Sequence, residues 1–173
     1  MKIAFTMSPG RGDTDLLLLQ LSDRLARRGL RLCGTVQINT DRPDDDPCDM
    51  DVKVLPDGPV IRISQALGRE SHGCRLDPQA LETAVGLTES QLADGADVLL
   101  INKFGKHEAE GRGFRTSIAE ALSQNIPVLV GLNALNVTAF NEFTAGYATS
   151  LPPELAALEA WIDEALDGCL TAI

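Results

Sequence analysis

The sequence predicts an α/β domain of three layers, with a mainly parallel sheet and an added β-hairpin. Three observations carry this prediction. Apolar runs of strand length alternate with amphipathic helical stretches along the chain. One run, VLLIN at 98–102, is continuously apolar up to its last residue, as expected of a strand covered on both faces. A Gly-rich turn, Met7 to Thr14, joins the first apolar run to a leucine-rich helix. In sheets of this kind, ligands sit beyond the carboxyl ends of the strands.

The elements follow in order. Strand one spans Lys2 to Thr6, and the first helix runs from about Thr14 to Arg28 with Gly29 as its C-terminal stop. Arg24, Arg27 and Arg28 lie in its last turns, where cations complement the helix dipole and face solvent. Strand two is Leu30 to Ile38. Asp41 to Asp51, DRPDDDPCDMD, reads as an exposed acidic loop rather than a cation site, because two prolines and mobile acids do not fix a coordination geometry. Asp51 to Leu55 and Val60 to Ser64 flank the turn Pro56-Asp57-Gly58 and predict a hairpin. Residues 65–76 are irregular. Asp77 as N-cap and Pro78 at the first helical position then start a helix to about Ala93. The strand Val98 to Asn102 is followed by a loop, Lys103 to Gly113, and a helix, Phe114 to Gln124. Strand Pro127 to Leu132, a short helix at Val137 to Phe143 and a helix from Pro153 to Leu166 complete the pattern.

With 173 residues the chain suits one domain, 1–173. Its composition, 44% hydrophobic and 23% charged, is that of a globular protein. A net charge of −10 argues against a nucleic-acid partner, which requires a basic face, but leaves room for a local anion pocket. No apolar run approaches the roughly 20 residues of a bilayer span, so no membrane partner is expected. No export signal is visible at the N-terminus, so the cytoplasm is expected. The four cysteines, at 33, 48, 74 and 169, are far apart and lack C-x-x-C spacing. Neither a disulfide framework nor a zinc site is expected, and no metal site is assigned.

The turn Met7-Ser-Pro-Gly-Arg-Gly-Asp-Thr14 occupies the place of a phosphate loop, G-x-x-x-x-G-K-[ST]. Only Gly12 and Thr14 fit that pattern. Met7 stands at the first glycine and Asp13 at the lysine, a degenerate loop on a P-loop-like scaffold. A working loop wraps backbone N–H groups around phosphates, and its lysine neutralises their charge. A charge pair at ~4 Å and an effective dielectric of ~20 is worth roughly 4 kcal/mol, and aspartate turns that attraction into repulsion. Ordinary triphosphate hydrolysis is therefore not expected. Ser8, Gly10, Arg11, Gly12 and Thr14 remain candidates for an anion cradle at a helix N-terminus, and Asp13 reads as a first-turn acid.

A second candidate stretch runs from Asn102 to Arg115, NKFGKHEAEGRGFR. Asn102 closes the VLLIN strand where nucleotidases commonly hold magnesium on an aspartate. Lys103, Lys106, Arg112 and Arg115 are candidates for a local anion pocket. Lys106 and Glu108 are the candidates for any catalytic role, Glu108 as a base. A third stretch, Ser71 to Asp77, holds His72, Cys74 and Arg75. Arg75 either faces the same pocket or pairs with Asp77.

Taken together, KIAFTMSPGRGDTDLL, HGCRLD, LLINKFGKHEAEGRGFR and IAEALSQNIPVLVGL resemble the bacterial domain-of-unknown-function family 2478. The resemblance covers nearly the whole chain. It implies a distant relation to the thermophile-type nucleoside-triphosphatases of the P-loop class. In those, the strand like VLLIN ends in an aspartate and a glutamate followed by Gly-Lys. Here Asn102 and Lys103 replace the acids, while Gly105 and Lys106 persist. Genes of the family typically lie near molybdate transporter genes, so the resemblance also implies a link to molybdate or tungstate.

The expectation is a binding protein for a small anionic ligand, either a nucleotide or another phosphate-bearing molecule, or molybdate or tungstate. The ligand would sit between Ser8–Thr14 and Lys103–Arg115, with Cys74 and Arg75 alongside. The role would be accessory or regulatory in molybdate metabolism, with a homo-oligomer or a molybdate-pathway protein as possible partner. A slow nucleotide hydrolase or phosphotransferase, and an interaction protein with a vestigial site, are the competing readings.

Overall fold

The computed structural model describes residues 1–40, 48–65 and 75–170. Its elements are β1 (Ile3–Thr6), α1 (Asp13–Arg27), β2 (Leu32–Thr40), β3 (Asp49–Val54), β4 (Val60–Arg62), α2 (Pro78–Ala93), β5 (Val98–Ile101), α3 (Lys106–Ala109), α4 (Arg115–Ser123), β6 (Val128–Gly131), α5 (Val137–Phe143), β7 (Thr149–Leu151) and α6 (Leu155–Leu170). A 3-10 turn, Ala134–Asn136, precedes α5. Among the described residues the strands form one seven-stranded sheet in the order β4-β3-β2-β5-β6-β1-β7. The five strands from β2 to β7 in that order are parallel, and the β3–β4 hairpin adds antiparallel to β2.

Strand alternation divides the core between two faces. Ile3, Cys33, Leu99, Ile101, Val128 and Val130 meet α2, α4 and Phe140 of α5. Ala4, Leu32, Val36, Leu100 and Leu129 meet Leu18, Leu21 and Leu25 of α1 and Leu158 and Ile162 of α6. Helices thus cover both faces of the sheet, giving the predicted three layers. At two points the backbones approach too closely for a side chain. A Cβ on Gly34 (φ +109) would lie 1.9 Å from Leu100 O, and one on Gly131 would lie 2.0 Å from Asn102 O.

The helix ends follow the sequence. Gly29 takes φ +82 just past α1. Its N–H donates to Ala26 O at 2.9 Å, and the Leu30 N–H to Leu25 O at 3.3 Å, a Schellman ending. Asp77 Oδ1 accepts from the N–H groups of Gln79 (2.9 Å) and Ala80 (3.1 Å), and Pro78 opens α2. Arg24 and Arg28 are not simply solvated. They pair with Glu159 and Asp163 of α6, tying the two helices of that face together.

Several expectations are corrected. The acidic segment is not all loop: Asp49 and Asp51 belong to β3, where both carboxylates bind Arg62 of β4, at 2.8 and 2.5 Å. Residues 41–47 of that segment lie outside the described residues, as do His72 and Cys74. The stretch 65–76 begins and ends at an antiparallel bridge between Ser64 and Leu76. The loop after β5 contains the short helix α3, and α6 begins at Leu155 and extends to Leu170. β7 was not expected: it is three residues, mostly exposed, and gains strand geometry only by pairing with β1.

Candidate functional site

The carboxyl ends of β1, β5 and β6 converge beneath the segment that joins β1 to α1. Gly12 is the N-cap of α1 with φ +81, and no described side chain caps the helix. Left-handed backbone is accessible to glycine at little cost, which lets the chain turn sharply into the helix. The loop closes on itself. Thr14 Oγ1 accepts from the Ser8 N–H at 2.9 Å, and the Asp13 N–H reaches Gly10 O at 3.4 Å. The Asp13 carboxylate folds back over Gly10, where a Cβ would lie 2.0 Å from Asp13 Oδ2. Asp13 is exposed and belongs to the first turn of α1, where an acid is favourable.

Around this loop lies a cavity of about 540 Å³. Its walls are Met7 to Gly12, Thr14, Asp15, Asn102, Lys103 and Gly131 to Ala134. The floor is a buried polar network centred on Asp15, which is 5% exposed. Asp15 Oδ1 accepts from Asn102 Nδ2 at 2.8 Å. Asp15 Oδ2 accepts from Asn39 Nδ2 at 2.7 Å and Gln37 Nε2 at 3.3 Å. Lys103 Nζ stands 3.7 Å from Asp15 Oδ1. A buried carboxylate requires such partners, since an unpaired buried charge is strongly disfavoured. Asn102 also accepts from the Gln37 N–H at 2.8 Å, so its amide joins β5, β2 and α1.

Asn102 thus acts as a donor, not as a metal-holding acid. The carboxylate near it is that of Asp15 on α1, with both oxygens accepting from side-chain amides. Asp15 and the segment Gly131 to Ala134 were missed at the level of sequence. Asp15 sits beside Asp13 at a helix start, where both look like solvated first-turn acids. The segment after β6 had one signal: it ends the strand that neighbours β1, where the sheet brings loops together.

A second cavity, of about 650 Å³, adjoins the first and shares Asn102, Lys103 and Asn133 with it. The charged stretch after β5 borders this second space. Of the residues singled out by sequence, Ser8, Gly10, Arg11, Gly12, Thr14 and Lys103 line the first cavity, whereas Lys106 and Glu108 line only the second. Lys106 is exposed, 3.6 Å from Glu110 Oε1. Glu110 also binds Arg112 at 2.5 Å. That hydrogen bond, with the Lys106 charge nearby, holds the Glu110 carboxyl below its ordinary range.

Glu108 and Arg115 serve the loop's own structure. Glu108 is buried. Its Oε2 accepts from the Gly105 N–H at 2.9 Å and its Oε1 from the Phe114 N–H at 3.1 Å. Both oxygens are engaged at once, so the side chain ties the Gly105 and Phe114 backbone together. Arg115 donates to Glu108 O at 3.3 Å and stacks on the Phe143 ring, 4.4 Å from its centroid. Arg75 donates to Cys48 O at 3.1 Å, and neither Arg75 nor Arg115 lines the first cavity. The expected convergence of Lys106, Arg75 and Arg115 on the first loop is therefore corrected. Each is held elsewhere, Lys106 by Glu110, Arg75 by Cys48 O and Arg115 by Glu108 O and Phe143, and Lys103 alone of the expected cations lines both cavities. Cys33 is buried, and burial pushes its thiol up to about 11. Among the described residues no helix is long and apolar enough to cross a membrane.

Residues 3–161 match the family described as "Protein of unknown function (DUF2478)", and the chain belongs to that family. The chain is also similar to the molybdenum import ATP-binding protein ModC 2 of Bradyrhizobium diazoefficiens, with 35% identity over 162 residues. That match takes in 92% of this chain but 18% of the relative, so the chain spans less than a fifth of the relative's length. Among solved structures, it shares its fold with a human cancer-related nucleoside triphosphatase. The TM-score is 0.59 at 16% identity, covering 99% of this chain and 98% of that one.

Proposed function

We propose that this member of the DUF2478 family binds a phosphate-bearing ligand or a tetrahedral oxyanion, molybdate or tungstate, in the cavity beneath the loop Met7 to Thr14. Its role would be accessory or regulatory in molybdate handling in the cytoplasm. The observation that carries this reading is the position of Lys103. Its ammonium lies 3.7 Å from Asp15 Oδ1 in the first turn of α1, whose N-terminus no described side chain caps. Helix N–H groups and a lysine together favour a compact anion. Arg11, on the same wall, supplies a second positive charge.

Binding is favoured over hydrolysis for a physical reason. The loop carries Asp13 at the lysine position, and both oxygens of each buried carboxylate, Asp15 and Glu108, are already hydrogen-bonded. The link to molybdate rests on the similarity to a relative named for molybdenum import. Calorimetry with phosphate, molybdate, tungstate, ADP and ATP tests the reading. Saturable binding of at least one of them, weakened tenfold or more in Lys103→Ala, supports it. A folded sample that binds none of them overturns it.

A further inference from the structure

The second cavity is built differently from the first. Its walls are largely apolar: Met50 and Val52 from β3, Ile63 beyond β4, Leu76, Leu81 of α2 and Phe114. Its size, about 650 Å³, falls within the roughly 300–1,000 Å³ of small-molecule sites. Such sites combine an apolar lining with a few placed polar groups. Here those groups include amides, from Gln65, Asn133 and Asn136, beside the exposed charged side chains of Lys106, Glu110 and Arg112. Amides offer both donors and acceptors and can read the edge of a heterocycle. His107 borders the same space, and its Nδ1 is buried with no hydrogen-bond partner among the described residues.

The wall between the two cavities is formed by Asn102, Lys103 and Asn133, which line both. A charged group in the first cavity and an apolar ring system in the second would therefore lie on either side of Lys103. We infer that the ligand is a phosphorylated heterocycle. Its phosphate occupies the cradle of Met7 to Thr14, and its ring system occupies the apolar cavity between the β3–β4 hairpin, α2 and α3. The inference rests on the proposed anion site and adds the chemical class of the molecule. A bare oxyanion would leave the larger space without a role, whereas a molecule of mononucleotide size engages both. The hairpin, an antiparallel addition to the parallel sheet, supplies one wall of the ring site.

The test compares inorganic phosphate, ribose 5-phosphate, AMP, GMP, flavin mononucleotide and pyridoxal 5′-phosphate by calorimetry on the full chain. At least one heterocyclic phosphate is expected to bind tenfold or more tightly than ribose 5-phosphate. Met50→Trp, which fills the apolar cavity from its rim, should remove that advantage. Leu76→Trp is a second filling variant should the first fail to fold. If phosphate or ribose 5-phosphate binds and no heterocycle binds more tightly, the inference is overturned while the anion site stands. Preference for a heterocycle that both filling variants retain also overturns it. If nothing binds, the anion site fails and the inference with it.

Discussion

The Asn102 side chain donates to Asp15 Oδ1 at 2.8 Å while its own oxygen accepts from the Gln37 N–H at 2.8 Å. Asparagine satisfies both partners because its amide carries a donor and an acceptor. An aspartate at 102 would keep the second bond and set two carboxylates face to face. We therefore expect Asn102→Asp to destabilise the fold by at least ~2 kcal/mol at pH 7, from repulsion and a lost donor. A carboxyl so placed has a raised pKa, so its cost is lost as pH falls and the group takes up a proton. Chemical denaturation at pH 7 and pH 5 should show the deficit shrinking at the lower pH.

Glu108 ties Gly105 to Phe114 and fixes the turn between β5 and α4. Glu108→Ala leaves two backbone N–H groups without their acceptor, at roughly 1–3 kcal/mol. Glu108→Gln keeps an acceptor and should cost less. Thermal melting of the two variants checks the order. Equal melting temperatures would contradict the structural role.

Gly131 lets the end of β6 approach the backbone of Asn102. A Cβ there would lie 2.0 Å from Asn102 O and 3.0 Å from Leu18 Cδ1. Gly131→Ala must push apart two adjacent strand ends beneath the site, and a loss of more than ~2 kcal/mol is expected from such overpacking. Gly86→Ala is the control, since a Cβ at Gly86 in α2 meets nothing within 4 Å. It should stabilise the helix by up to ~1 kcal/mol.

Asp97 accepts from the Arg31 backbone N–H at 2.8 Å and from its guanidinium at 2.7 Å. The guanidinium hydrogen bond holds the Asp97 carboxyl below its ordinary value. A depressed carboxyl stabilises the fold above its unfolded-state pKa and loses that contribution as pH falls through the folded value. Asp97→Asn should thus be less stable than the parent at pH 7. Because the pair is exposed, the gap should be under ~1 kcal/mol. It should close below about pH 4, near the ordinary carboxylate range, which denaturation curves across pH 3 to 7 would show.

What the sequence reveals and what it hides have distinct causes. The apolar run Val98 to Ile101 is legible because a strand buried on both faces has no polar positions to disguise it. Asp77-Pro78 marks the start of α2 because capping is a local event. The Gly-rich turn after the first strand is legible as well, and it lines a cavity at the carboxyl ends of the strands. Asp15 is not legible. Its burial depends on Gln37, Asn39 and Asn102, which come from other strands and leave no trace in local spacing. Arg115 and Glu108 look like site residues because charge and glycine are dense around them. Only the folded loop shows that they hold each other and the neighbouring backbone. β7 is invisible for a similar reason: three exposed residues become a strand only beside β1.

The central claim is that the backbone N–H groups between Ser8 and Thr14, with Lys103 opposite, hold an anion. Two-dimensional 15N NMR during titration with phosphate, molybdate and AMP addresses it directly. At least one of these should shift the amides of Gly10 to Asp15 and of Lys103 in a saturable way. Lys103→Ala should weaken the response tenfold or more. Saturable shifts confined to residues elsewhere, or none at all in the folded protein, would contradict the account.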